Sequence, residues 1–300
     1  MNTKPKLIVI LGPTSSGKTG LSVELAKKFK AEIISADSRQ VYRGLDLSSG
    51  KVTPEETEGI PHYLLDVASP KKVYTVAHFK KDADIALKKI YAKNKLPILI
   101  GGTGFYIDAV VQDAVLPKVK PDLALREKLE KKSAPRLFSL LEKQDPQRAA
   151  TIDSHNKRRL VRALEIIRAL GKVPKLQKKN LKFNVLYLGV SRSKEELKSR
   201  IHDRLLERIS QGMIDEVAGL HRRGVSWQRL DDLGLECRYI ARFLQNKITK
   251  EEMLDELERA IWRYAKRQDT WFKRNKKIHW VKNCKEAARL TEKFLASQKP

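Results

Sequence analysis

The sequence predicts an α/β protein: a phosphate-loop (P-loop NTPase-like) parallel sheet core that carries a helical insertion domain. Three observations support this reading. Gly12-Pro13-Thr14-Ser15-Ser16-Gly17-Lys18-Thr19 fits the phosphate-loop pattern G-x-x-x-x-G-K-[ST] with nothing missing. Apolar runs of strand length alternate with helical stretches through the first third of the chain. From about Pro117 to Lys182 the strand signal stops and only helical patterns remain. The expected organisation is a phosphate-loop core with C-terminal helices over 1–116 and 183–300, and the insertion over 117–182.

Each element follows from its local pattern. Leu7-Ile8-Val9-Ile10-Leu11 has strand length, and Leu21 to Phe29 is amphipathic and helical. Strand, glycine loop and helix together aim backbone N–H groups and a helix N-terminus at an anion. Lys18 is placed to neutralise terminal phosphates, and the Thr19 hydroxyl to ligate Mg²⁺. The motif defines a polyphosphate site and leaves open which polyphosphate. Glu32 to Ala36 and Leu96 to Ile100 read as the next strands, with a helix over Ala77–Ala92 between them. Ligands of parallel sheets bind at the carboxyl ends of strands. Gly12, Asp37 and Gly101 all follow strand ends and should converge on one crevice.

In the insertion, helices are expected at Asp122–Lys132, Pro135–Lys143 and Asn156–Leu170, then a lysine-rich loop from Lys172 to Lys179. Asn184 to Val190 restores the strand pattern. Long helices follow at Lys194–Gln211, Ile214–Arg223 and Lys250–Asn275, with a last short strand at Ile278–Val281.

Composition narrows the class. Lys and Arg number 62 against 36 Asp and Glu, a formal charge of +26. Such an excess suggests a polyanionic partner, nucleic acid first, although part of the lysine count is a solvated surface. Cys237 and Cys284 form neither a disulfide framework nor a zinc pattern. The residues from Met1 to Lys6 run directly into a short strand, with no signal peptide or membrane span. A reduced, cytoplasmic protein without a membrane partner is expected.

Several constellations carry two readings. Asp37, in Asp37-Ser38-Arg39-Gln40, is placed as a general base or magnesium ligand, or as the cap of the next turn. Gly101-Gly102-Thr103-Gly104 suits close approach to a ligand, or a tight turn. The preceding strand ends without an acidic residue, unlike a kinase magnesium strand. Arg200, Arg204 and Arg208 share one helix face, as a phosphate clamp or a solvated stripe. Arg158, Arg159 and Arg162 carry the same ambiguity. Lys266 to Arg274 interleaves cations with Trp271 and Phe272, suited to nucleic-acid stacking or to a helix core. His62 has no acid–base partner in sequence and reads as structural.

These residues resemble the bacterial tRNA dimethylallyltransferases. The resemblance rests on Gly12–Thr19, Asp37 to Tyr42, Ile60 to Asp66, Gly101 to Tyr106, Asn156 to Glu165 and Lys266 to Phe272, in that order along the chain. It implies transfer of a dimethylallyl group from dimethylallyl diphosphate to N6 of adenosine 37, beside the anticodon, in tRNAs reading codons that start with U. By the same resemblance, Gly12, Pro13, Thr14, Ser15, Ser16, Gly17, Lys18, Thr19 and Arg204 hold the diphosphate. Asp37 accepts a proton from the adenine amine or orients it, and Thr14, Lys18 and Arg204 assist. Asp37, Ser38, Arg39, Gln40, Thr103, Arg126, Arg158, Arg159, Leu160, Val161, Arg162 and Arg267 meet the anticodon stem-loop of tRNA. Mg²⁺ is the implied cofactor, with Thr19 its ligand, and a monomer the implied state.

The family often carries Gly-Tyr-x-Glu where this chain reads Gly234-Leu235-Glu236-Cys237-Arg238, so no role is carried over to that segment. Two alternatives stay on the page: a phosphate-loop kinase of a small metabolite, and a prenyltransferase acting on free AMP or ADP.

Overall fold

The structure, a computed structural model, describes residues 4–113, 117, 119–174 and 182–297. The chain divides into two units, 1–113 with 179–300, and 114–178. The first unit opens with β1 (Lys6–Leu11), α1 (Lys18–Phe29), β2 (Ala31–Ser35), α2 (Pro54–Thr57), β3 (His62–Tyr63), α3 (Val76–Ala92), β4 (Leu96–Gly101) and α4 (Gly104–Val111). The second unit holds α5 (Leu123–Glu130), α6 (Ala134–Gln144), α7 (Pro146–Ala149) and α8 (Lys157–Leu170). The first unit resumes with β5 (Asn184–Val190), α9 (Lys194–Ser210), α10 (Met213–Arg222), α11 (Trp227–Leu233) and α12 (Leu235–Leu244). It ends with α13 (Lys250–Phe272), β6 (Ile278–Val281) and α14 (Cys284–Ala296).

The strands form one sheet in the order β3-β2-β4-β1-β5-β6, with every neighbouring pair parallel. Parallel sheets bury both faces, so their strands read as unbroken apolar runs. In β1, Leu7, Val9 and Leu11 enter the core that also holds Phe79, Leu87 and Ile107. Ile8 and Ile10 enter the opposite core, with Val23 and Leu25 of α1 and Ala287 of α14. A third cluster, around Leu205, Met213, Leu257 and Ile261, packs the C-terminal helices of the first unit on one another. The helical unit has its own core, including Leu137, Leu141, Leu160 and Leu164.

The expected elements are present, with shifted ends that have physical reasons. Asp122 and Asn156, read as helical, stand outside α5 and α8 as their caps. Asp122 Oδ1 accepts from the Leu125 N–H at 2.9 Å, and Asn156 Oδ1 from the Arg159 N–H at 3.2 Å. β3 went unread because two residues carry no periodicity. The pairing of Ile33 with His62 and Ile34 with Tyr63 makes it a strand. The short helices α11 and α12, which meet at Gly234, were also unread. Residues 175–179 of the expected lysine-rich loop lie outside the described residues. No described helix is long and apolar enough to cross a membrane.

Candidate active site

The phosphate loop joins β1 to α1 at the carboxyl edge of the sheet. Gly17 has φ 93° and Ser15 φ 59°, both in the left-handed region. Gly17 meets that requirement without strain. Lys18 Nζ donates to the Pro13 carbonyl at 2.6 Å. Burial lowers the Lys18 pKa to about 8, the Asp37 carboxylate opposing and the Arg204 cation adding to the fall. The Ser16 hydroxyl is buried without a hydrogen-bond partner.

Thr14, Ser15, Lys18, Thr19, Asp37, Ser38, Arg39, Gln40, Arg204 and Arg267 line one cavity of about 350 Å³. Asp37 follows β2, as expected, and caps the next turn while lining the cavity. Its Oδ1 accepts from the Arg39 N–H at 2.8 Å and the Gln40 N–H at 3.3 Å, while the same carboxylate faces the cavity. Thr103 does not line the cavity; its hydroxyl accepts from the Ser38 N–H at 3.2 Å and steadies the loop after Asp37.

The arginine stripe of α9 separates into three roles. Arg204 reaches the cavity and donates to the Gly50 carbonyl at 3.0 Å. Burial presses its pKa below the ordinary value, and Arg208 adds to this. Arg208 is itself buried, 2.9 Å from the Leu47 carbonyl and 3.4 Å from Glu236. Arg200 donates to the Ser15 carbonyl at 2.8 Å.

The glycines of Gly101–Gly104 serve approach by protein rather than by ligand. A Cβ on Gly101 would lie 2.2 Å from the Ala36 carbonyl oxygen, and one on Gly102 2.2 Å from Gln268 Nε2. Gln268, on α13, is buried and clasps two loops. It accepts from the Thr14 N–H at 2.9 Å and donates to the Gly102 carbonyl at 2.9 Å. Sequence reasoning missed this residue, and its only signal was a place in the Lys266–Phe272 motif. His62, read as structural, also lines the cavity. Its Nδ1 donates to the Ile60 carbonyl at 2.8 Å, leaving Nε2 buried and unpartnered. Burial lowers its pKa, with the Ile60 bond opposing. Glu236, in the segment that departs from the family pattern, lines the cavity and meets Arg208.

In the helical unit the structure corrects two expectations. Leu160 and Val161, expected to meet tRNA, are 0% and 4% exposed and belong to the unit's core. They occupy the inward face of α8, so their side chains offer nothing to RNA. Arg126, also expected at the RNA, is a third exposed and pairs with Glu165. Nε and Nη2 lie 2.9 Å from its two carboxylate oxygens. Arg162 binds the same carboxylate and donates to the Val119 carbonyl at 2.9 Å. Burial pushes the Glu165 pKa up, but the bonds from Arg126, Arg162 and the Asp122 N–H outweigh it and hold it below the ordinary value. Arg158 and Arg159 are exposed.

A divalent metal would find few protein ligands. No group of three His, Cys, Asp or Glu among the described residues is placed to hold one. The Thr19 hydroxyl lines the cavity and makes no hydrogen bond to the described protein. That set fits a cation such as Mg²⁺, which retains waters and is held largely by substrate phosphates.

The family model described as IPP transferase matches residues 40–275. A tRNA dimethylallyltransferase 2 of Shewanella sediminis is 43% identical over 279 residues, covering 92% of both chains. A tRNA dimethylallyltransferase 2 of Treponema denticola is 41% identical over 290 residues, covering 94% of this chain and 97% of its own. Among solved structures, the tRNA isopentenylpyrophosphate transferase of Bacillus halodurans superposes with a TM-score of 0.73 at 35% identity, covering 98% of this chain and 96% of that one. A eukaryotic dimethylallyltransferase acting on tRNA gives 0.84 at 26% identity, covering 98% and 80%.

Proposed function

The chain belongs to the IPP transferase family and transfers a dimethylallyl group to tRNA; we propose that the acceptor is N6 of adenosine 37 in tRNAs reading codons that start with U. The donor is dimethylallyl diphosphate, and the products are N6-(dimethylallyl)adenosine and diphosphate. The observation that carries this reading is the meeting of Lys18, Thr19, Arg204 and Asp37 in one cavity.

The chemistry assigns each group a task. Carbon–oxygen cleavage leaves a diphosphate whose growing charge needs fixed donors and cations. Lys18, Arg204 and the loop amides meet that need, held in place by Pro13, Gly50 and Gln268. Thr19 and the donor's phosphates would hold Mg²⁺, which when bound would supply further neutralisation of the leaving group. The exocyclic amine attacks the allylic carbon, and Asp37 receives its proton or holds it in line. The backbone bonds to Oδ1 fix that carboxylate's direction, and Oδ2 is the oxygen left for the amine.

The adenine must leave its stack to enter such a cavity. The unpaired bases of an anticodon loop lower that cost. Arg39, Gln40 and Arg267, which line the cavity, contact the anticodon stem-loop, and the exposed Arg158 and Arg159 of the helical unit offer further cations to tRNA. The enzyme acts as a monomer.

The test offers labelled dimethylallyl diphosphate with unmodified tRNA, with AMP, or with neither. Label is expected in tRNA alone, on adenosine 37. Label in AMP but not in tRNA would overturn the reading. A kinase reading finds no support, since β4 ends in Gly101 and brings no carboxylate of its own to the phosphate loop.

A further inference from the structure

Two arginines brace the phosphate loop, and both line a second cavity with Lys18, Thr19 and Arg204. Arg200 Nε donates to the Ser15 carbonyl at 2.8 Å, and Arg192 Nε to the Ser16 carbonyl at 3.1 Å. Arg192 lies just past β5, and Arg200 lies on α9. Glu196, one helical turn from each, joins them: its Oε1 is 3.3 Å from Arg192 and 3.9 Å from Arg200. Gly17 is required by its φ of 93° and not by the room the guanidinium groups need. A Cβ there would stand 3.4 Å from Arg192 and 3.6 Å from Arg200.

These carbonyls are the ones that α1, continued backward, would use itself. In an α-helix each N–H bonds the carbonyl four residues earlier. Ser15 would then accept from the Thr19 N–H, and Ser16 from the Gly20 N–H. Neither bond is present among the described residues; the first such bond runs from the Leu21 N–H to the Gly17 carbonyl at 3.4 Å. The left-handed φ angles of Ser15 and Gly17, 59° and 93°, turn the peptide planes away from helical geometry. The carbonyls then point at arginines, and the amides of Thr19 and Gly20 have no internal acceptor. Freed of the arginines, the same carbonyls could relax toward helical bonds and consume those amides. They could also present their negative ends near the incoming anion.

We infer that Arg192 and Arg200, coupled through Glu196, are positioning residues of the donor site. They hold the Ser15 and Ser16 carbonyls outward, so that the Thr19 and Gly20 amides stay available to diphosphate. They act through the main chain, by their bonds to the Ser15 and Ser16 carbonyls. The inference rests on the reading of the loop as the diphosphate site.

Inorganic diphosphate is the probe, titrated calorimetrically with Mg²⁺ into the full chain, beside filter binding of unmodified tRNA. Arg192→Met and Arg200→Met should each weaken diphosphate binding about tenfold, the scale of one charge-assisted hydrogen bond. Affinity for tRNA should stay within about twofold. The KM for dimethylallyl diphosphate should rise more than kcat falls. Arg200→Lys, which keeps the cation and a donor, should restore most of the affinity. Wild-type diphosphate binding in the double Met variant would overturn the inference. So would an equal loss of diphosphate and tRNA binding with a lowered Tm, the mark of a fold prop. A wild-type chain that fails to bind inorganic diphosphate would remove the donor-site reading itself, and the inference with it.

Discussion

Helices α8 and α9 both carry arginines at helical spacing, and the structure partners them differently. On α9, Arg200, Arg204 and Arg208 all donate to main-chain carbonyls, those of Ser15, Gly50 and Leu47; Arg200 and Arg208 also meet Glu196 and Glu236, while Arg204 faces the cavity with a carbonyl as its partner. A carbonyl fixes a guanidinium's direction without cancelling its charge. On α8, Arg162 joins Arg126 on the carboxylate of Glu165, whose side chain is 1% exposed. That carboxylate cancels one of the two charges and holds both guanidinium groups, each a third exposed, against the fold. The lesson is that a partner's type, and not the spacing of cations, decides whether an arginine remains available to a polyanion.

Four outcomes would break or sharpen this contrast. The largest concerns the cavity of the sheet unit. Asp37→Asn keeps an oxygen for the Arg39 and Gln40 amides but removes the base. Single-turnover prenyl transfer should fall roughly 10²–10⁴-fold, with tRNA affinity retained. Asp37→Ala should add the loss of a cap, about 1 kcal/mol of stability. A near-normal rate in the Asn variant would confine Asp37 to capping.

Next is Glu165→Ala. It leaves Arg126 and Arg162 without their shared counter-charge and should destabilise the helical unit by about 3 kcal/mol. That is the low end for a broken buried pair, because both guanidinium groups are a third exposed. Denaturant melting would show it. The pH dependence has a definite sign. The folded Glu165 pKa lies below its ordinary value of 4.5, so its stabilisation is complete above that value. It is lost as pH falls through the lower, folded value. An unchanged melt would mean the ion pair is ornamental.

Third, Arg158→Ala with Arg159→Ala should flatten the salt dependence of tRNA binding. Each lost phosphate contact changes the slope of log K against log salt by roughly 0.7–0.9, so the pair should change it by about 1.4–1.8. Diphosphate binding should be untouched, since the two lie in the helical unit. An unaltered slope would make them solvated bystanders.

The smallest effect is the titration of Lys18. Diphosphate binds the ammonium form, so its affinity should be full below pH about 8 and decline above it. Folding stability should move the other way between about 8 and 10.5, because there the unfolded chain binds the extra proton. Diphosphate titrations across that range would expose a flat profile if Lys18 does not touch the anion.

Much of this was legible in the chain. The phosphate loop is contiguous, so pattern and flanks locate Lys18 and Thr19. Five of the six strands are apolar runs, and only β3, two residues long, escaped. What stayed hidden depends on contacts far apart in sequence. Gln268 meets Thr14 across 254 positions, and Arg192 meets Ser16 across 176. Leu160 and Val161 failed for another reason: a motif names neighbours in sequence, whereas the 3.6-residue turn of a helix puts adjacent Leu160 and Val161 on its inward face beside the exposed Arg158 and Arg159. His62 has a neighbouring main-chain carbonyl, that of Ile60, as its partner, and its place at the cavity follows from the β2–β3 pairing, which no local pattern announces.

The strand order has a consequence for how the chain is made. β1 lies between β4 and β5, and its pairing with β5 runs from Lys6 beside Asn184 to Leu11 beside Gly189. During synthesis the first strand therefore waits for one flank until the whole helical unit has left the ribosome. In that interval Leu7 to Leu11 presents an apolar strand with an open edge, the feature that invites aggregation. A nascent chain stalled anywhere before Asn184 holds its phosphate loop on an unfinished sheet, exposed to chaperones before it ever meets a substrate.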